Sequence, residues 1–387
     1  MGGVTEPGAA GGSSPLEGLP FFAELTRVPD AEGPVHWDVA RRVAVWVGGG
    51  GRPEPPVEAA DAAQLRQLGR VAELQIAGAV PPTVEPGGRP VVAAAVTRGE
   101  WALRALDAHA SLLEALARSL AGARPPDPDH RPAGLAPSVL EGLVFGWMMG
   151  QLSRRSLGQH DPPLPRPPTA RLSIVAANLD EVAGEWGLPR DEVRLWACLQ
   201  DVAHHMVLGV PHVRDALGSH LRRYVESFDV PPDAMAEEIE TVDATDPTSF
   251  RAALGDPEAL VAAVQTPAQA DVLARLEALA AAVEGWVDHV VDGIGRRLLG
   301  SYPSIQEAVR RRRAEATWGD RYVARLLGIG LRQPAYERGR RFIAGVLERA
   351  GEEGLGRLWA SPRELPSPAE VDAPGLWLAR IDLPERG

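Results

Sequence analysis

A mainly α-helical fold with little strand is what this sequence encodes, and three observations carry that expectation. Apolar residues recur three and four positions apart through several long windows, the period of a helix with one buried face. Helix-start signals stand where those windows begin or end: Thr97 is followed by Glu100 and Ser367 by Glu370, each an N-cap with its reciprocal acid. Only two stretches read as extended, a short one at Val91–Val96 and a better candidate at Arg171–Ala176.

Composition narrows the class of protein. A chain of 387 residues with 45% hydrophobic content can bury one large core or two ordinary ones. Its formal net charge of −12 argues against a nucleic-acid partner, because a phosphate backbone is bound by an excess of Lys and Arg. No apolar run approaches the roughly 20 residues that span a bilayer, so no membrane partner is expected. The N-terminal MGGVTEPGAAGGSSPLEG has neither the basic nor the apolar region of a secretory leader. Cys198 is the single cysteine, which excludes an internal disulfide and fits a cytoplasmic location; beside Leu199 it is expected to fill core space.

In chain order, residues 1–18 are rich in Gly, Ala, Ser and Pro and are expected to be disordered. Residues 19–124 form an N-terminal helical region: Val35–Val47 ended by the four glycines Gly48–Gly51, Ala60–Ile76, and a helix through Trp101–Leu120. The glycine run lacks the Lys-Ser/Thr of a phosphate loop and reads as a turn. A proline-rich linker, 125–137, leads to the second region, 138–387. There Ser138–Leu157 carries Gly142, Gly146 and Gly150 at every fourth position, a face that lets another helix approach closely. Asn178 is placed to cap the helix through Trp186. His212–Phe228 begins another helix, Pro231–Pro257 reads as an acidic loop, Leu273–Leu299 as one long helix, and Ile305–Ala316 and Tyr336–Ala350 as further helices. The basic run Arg310–Arg313 is expected to be a solvated or salt-bridged face.

One stretch concentrates the chemistry. Asp191–His220 contains four of the chain's nine histidines. Leu195, Leu199, Val202 and Met206 form a buried stripe, while Gln200 with His204, and Asp201 with His205, stand four apart on neighbouring faces. Zinc proteases place two histidines at that spacing in H-E-x-x-H, so that both rings reach one ion while the Glu activates water. Here the frame reads Gln200-Asp201-Val202-Ala203-His204. On the later long helix, Glu284 and Asp288 supply an E-x-x-x-D pair that could give a third metal ligand and an acid behind it. His212 competes as third ligand, and Asp201 with His205 is itself a possible ligand pair.

Beyond these motifs, the chain resembles a zincin-like hydrolase family of actinobacteria, described as zinc-dependent metalloproteases. The resemblance runs through GPVHWDVAR (33–41), RVAEL (70–74), VTRGEW (96–101), LGQHD (157–161), RLW (194–196), EGWVDH (284–289) and PGLWLA (374–379). It implies a zincin-like metallopeptidase domain after the N-terminal helical region, zinc as the family's metal, and a peptide or protein as the molecule engaged. By that match His204 corresponds to the second zinc histidine, Gln200 to the lost first one, Asp201 to the general base, Glu284 to the third ligand and Asp288 to an acid behind the ligands. Some relatives are associated by name with coenzyme F420 biosynthesis, but no residues here form a recognisable deazaflavin site.

The two departures fall on the mechanism itself. A glutamine offers zinc only a neutral amide oxygen. Asp is one methylene shorter than Glu, and a misplacement of about 1 Å can cost roughly 100-fold in rate. The expectation is therefore a family member whose catalysis is impaired, which binds no zinc and keeps a binding or structural role. The alternative is an active hydrolase with an altered ligand set, His204 and Glu284 with Asp201, His205 or His212.

Overall fold

Small residues at helical spacing bring the first two long-range partners together. In the computed structural model, which describes residues 28–29, 31–81, 84, 90–122, 136–228, 267–315, 323–324, 326–328 and 333–383, helix α1 (Trp37–Gly48) lies along a later helix, Pro137–Ser153. A Cβ at Gly146 would stand 2.4 Å from the Ala40 carbonyl oxygen, and one at Gly142 2.6 Å from that of His36. Backbone thus packs on backbone, at a separation no larger residue allows. Gly50 and Gly51 leave α1 with φ of 69° and 80°, a left-handed turn that glycine adopts without strain.

The next elements are α2 (Ala59–Ala77), β1 (Val92–Val96), α3 (Arg98–Ala108), α4 (Ala110–Gly122) and α5 (Pro137–Ser153). The expected 101–120 helix is broken at His109, whose φ of −111° and ψ of 12° leave the helical region while its ring Nδ1 sits 2.8 Å from the Ala105 carbonyl. The capping box at Thr97 and Glu100 forms. Next comes β2 (Arg171–Val175), paired in parallel with β1 in the register Val92↔Arg171 through Val96↔Val175. Ala93, Leu172, Ile174 and Val175 are all buried, as expected of a parallel pair covered by helices.

Helix α6 (Ala176–Trp186) starts directly off β2 with Val175 as its N-cap, so Asn178 is no cap. Its amide instead donates to the carbonyls of Ser153 and Ser156 at 2.9 and 2.7 Å and accepts from Arg98 Nε at 2.6 Å. Those bonds satisfy the Ser153 carbonyl at the end of α5 and the Ser156 carbonyl in the turn that follows. Helices α7 (Arg190–Gly209) and α8 (Pro211–Glu226) follow. Leu199, Val202 and Met206 are buried as one stripe of α7, with Leu195 half-buried beside them. Cys198 is buried too, and burial pushes its thiol well up, away from reactivity. Arg194, fully buried, fixes α7 from behind: it bridges Asp180 of α6 and Asp61 of α2, the latter at 2.9 Å.

The remaining elements are α9 (Pro267–Leu298), α10 (Tyr302–Ala314), α11 (Gln333–Gly356), a 3₁₀ turn (Pro362–Glu364), α12 (Pro368–Asp372) and α13 (Pro374–Ile381). Helix α9 crosses α7 and α8 and packs along α11. Trp286 of α9 meets Trp359 edge-on, and Phe342 of α11 meets Trp377 of α13 likewise, with ring centroids 6.2 and 5.7 Å apart. The second expected capping box, Ser367 with Glu370, starts α12. Residues on both sides of 125–137 contribute to one hydrophobic core. Expectations for residues 1–18, for the acidic loop at 231–257 and for most of 125–137 fall outside the described residues. Among the described residues no helix is long and apolar enough to cross a membrane.

Candidate functional site

Where α7 crosses α9, the polar faces of the two helices meet above the buried stripe. His204, on α7, places Nε2 2.7 Å from Glu284 Oε1 on α9, while its Nδ1 lies 2.9 Å from the carbonyl of Gln200 one turn back. Burial alone would disfavour the imidazolium. The charge and hydrogen bond of Glu284, aided by Asp201, outweigh it and raise the His204 pKa above its ordinary value. Gln200 Nε2 reaches towards Asp288 Oδ1 at 3.4 Å.

Asp288 is claimed more firmly by another residue. Arg313, the last of the four arginines, grips it with both guanidinium nitrogens at 2.8 and 2.9 Å and lies 3.9 Å from Glu284 Oε2. The guanidinium stacks on Tyr336, 3.7 Å from the ring centroid. Burial would raise the Asp288 pKa, but the Arg313 charge and hydrogen bonds prevail and hold it below the usual carboxylate range. The basic run is therefore only partly the salt-bridged face expected: Arg310 and Arg311 pair with Glu307, whereas Arg313 belongs to the site.

Asp201 points the other way. Its Oδ1 accepts the backbone N–H of His160 at 2.7 Å, closing the Gly158–Asp161 loop over α7. Only glycine fits at 158, since a Cβ there would stand 2.7 Å from Asp201 Oδ1. The Trp101 indole N–H holds the same loop through the Gly158 carbonyl at 2.8 Å. Burial raises the Asp201 pKa to about 6, partly offset by the N–H bond from His160 and the charge of His204. His160, in the loop after α5, stacks on His204 with ring centroids 6.1 Å apart and stands 6.1 Å from His205. Burial, then His204 and His205, push its pKa well down, so the ring is neutral. Arg166, buried over Trp101, faces Asp201 electrostatically.

These groups border a cavity of about 160 Å³ whose walls include Leu152, Trp196, Val309 and Tyr336. At its mouth Arg155 and Arg312 donate to each other's backbone carbonyls. Of the residues singled out in the sequence, Gln200, Asp201, His204 and Glu284 line this cavity, with Asp288 directly behind. His205 and His212 do not border it; His212, on the first turn of α8, bonds the backbone at Trp359.

A family model described as a zincin-like metallopeptidase matches residues 35–378. The chain belongs to that family. It is also similar to a solved structure from Chloroflexus aurantiacus, described as "a putative hydrolase with a novel fold". That match has a TM-score of 0.63 and 25% identity, covering 91% of this chain and 100% of that one. No curated protein matches.

Zinc is the usual metal of zincins and takes three protein ligands plus a water. The donors of this zincin-like chain do not make that set. Among the described residues no three His, Cys, Asp or Glu side chains are grouped so as to hold a metal ion. His204 and Glu284 are bonded to each other, Gln200 brings a neutral amide, and Asp201 is turned onto a backbone N–H. The groups that meet the two acids of α9 are His204, by a hydrogen bond to Glu284, and Arg313, by an ion pair with Asp288.

Proposed function

We propose that this zincin-like chain has lost peptide hydrolysis and that its cavity binds a peptide or protein segment without cutting it. The observation that carries the reading is the commitment of Asp201. Oδ1 of the carboxylate in the general-base position accepts a backbone N–H from the loop beside it, so the group is held to that loop and only Oδ2 stays open to a ligand. The neutral amide at Gln200 and the direct His204–Glu284 bond support the same reading, because two imidazoles and an acid are what a catalytic zinc would need.

Metal content decides it. Tag-free protein is expected to contain no stoichiometric zinc and to leave a casein or peptide substrate intact. A Gln200→His, Asp201→Glu variant, which restores the family's donor chemistry, is expected to hold up to one zinc per chain. Stoichiometric metal and hydrolysis in the natural chain would overturn the reading in favour of an altered ligand set, His204 and Glu284 with Asp201, His205 or His212.

A further inference from the structure

The cavity floor leaves specific hydrogen-bonding groups uncommitted. Gln200 turns its Nε2 to Asp288, which directs Oε1 away from that acid, and this buried oxygen has no partner. Asp201 spends Oδ1 on the His160 N–H and leaves Oδ2 buried without one. Both ring nitrogens of His160 are buried and unpartnered. His160 is 5% exposed and Asp201 3%, and with Gln200 they border the same cavity. Buried polar atoms are rarely left unmet in a native protein, so this set describes the partner it fits.

The inventory is two acceptor oxygens and a neutral imidazole, which brings one N–H donor and one acceptor nitrogen. Nearby ionisable groups are already paired, His204 with Glu284 and Arg313 with Asp288, while Arg166 faces Asp201. An ammonium would satisfy the oxygens but leave the imidazole N–H unanswered. A carboxylate would meet the like charge of Asp201. An uncharged group with two N–H donors and one carbonyl answers both oxygens and the imidazole N–H, leaving only the second ring nitrogen of His160.

We propose that the cavity is a primary-carboxamide site, in which a ligand NH₂ donates to Gln200 Oε1 and Asp201 Oδ2 and its carbonyl accepts the His160 ring N–H. The chemistry is that of a Gln or Asn side chain or of an amidated C-terminus. The proposal rests on the non-catalytic binding reading above and names the group bound.

Calorimetric titration of the full-length protein tests it with four probes. N-acetyl-glutamine N-methylamide and N-acetyl-alaninamide carry the carboxamide as a side chain and as a C-terminus. The glutamate and lysine counterparts of the first replace it with an acid or an amine. At least one carboxamide probe is expected to bind saturably at one per chain and at least tenfold tighter than the acid and the amine, and the better one identifies the source. Asp201→Asn keeps the oxygen that accepts from His160 and turns the free acceptor into a donor, so it is expected to lose at least tenfold. Gln200→Leu is expected to do the same without touching the loop. Equal affinities for all probes, tightest binding of the lysine analogue, or full affinity in both variants would overturn the proposal. Zinc assayed on the same sample separates the two readings: stoichiometric zinc defeats the non-catalytic reading, whereas absent zinc with no carboxamide selectivity defeats this inference alone.

Discussion

Replacing Asp201 by Asn should make the protein more stable at neutral pH, although it removes a charged group from the centre of the site. The carboxyl pKa rises from 3.8 to about 6 on folding because burial outweighs the His160 N–H bond and the nearby cationic groups. At about 1.4 kcal/mol per pH unit, that rise corresponds to roughly 3 kcal/mol spent holding the ionised form in the folded state. The sign follows from proton linkage. A group whose folded pKa is raised contributes stability while protonated, below 3.8, and loses it as the pH climbs through about 6. Asn carries no such charge and keeps an oxygen for the His160 N–H, but its NH₂ takes the place of Oδ2 without a partner, which costs about 1 kcal/mol. The net gain expected at pH 7.5 is therefore about 2 kcal/mol, shrinking towards nothing near pH 4. Urea unfolding of both proteins across that range measures it. A variant less stable than the natural chain at pH 7.5, or a gap that does not change with pH, would show that burial does not dominate at Asp201. Either result would mean that Asp201 is compensated in the folded state by a cation.

Three further outcomes are expected. Arg313→Met strands the largely buried Asp288 and should cost about 3 kcal/mol in denaturant melts; adding Asp288→Asn should restore most of it, and a double variant no better than the single would count against the pairing. Gly146→Ala drives a methyl to 2.4 Å from the Ala40 carbonyl and should cost roughly 3 kcal/mol by prying α5 from α1; an unchanged melting temperature would contradict the packing. The raised His204 pKa means that its pairing with Glu284 stabilises fully below 6.5 and fades as the pH rises through the higher folded value. Glu284→Gln should thus cost most at about pH 6 and progressively less above neutrality, and a pH-independent cost would show that no proton is involved.

Much of the fold is legible because helices announce themselves locally. The Thr97 and Ser367 capping boxes and the Leu199, Val202, Met206 stripe need only neighbours within a turn or two to declare them. The approach of His204 to Glu284 is legible from two spaced motifs on apolar helices. Arg313 is harder, since a run of four arginines reads as one solvated face. Yet Ile305, Val309 and Arg313 stand four apart, and the first is 1% exposed, so the apolar stripe of α10 runs straight into the fourth arginine. His160 gives no such sign; it lies in a loop, and only the fold brings its ring over His204. Asn178 misleads because its local preference for a cap loses to two carbonyls at and just past the end of a helix more than twenty residues earlier.

The two-stranded sheet has a consequence for how the chain could be divided. β1 precedes the 125–137 segment and β2 follows it; likewise α1 and α2 precede it, and their partners α5 and α7 follow. A cut within that segment would sever no described strand or helix, but would leave each piece with an exposed sheet edge and half of an apolar seam. Co-expressed as separate polypeptides, the pieces should find one another and rebuild the cavity by association, each insoluble without the other. The molecule can then be treated as a heterodimer whose subunits happen to be joined, and the strength of that reassembly reports how much of the site is held in place from outside its own helices.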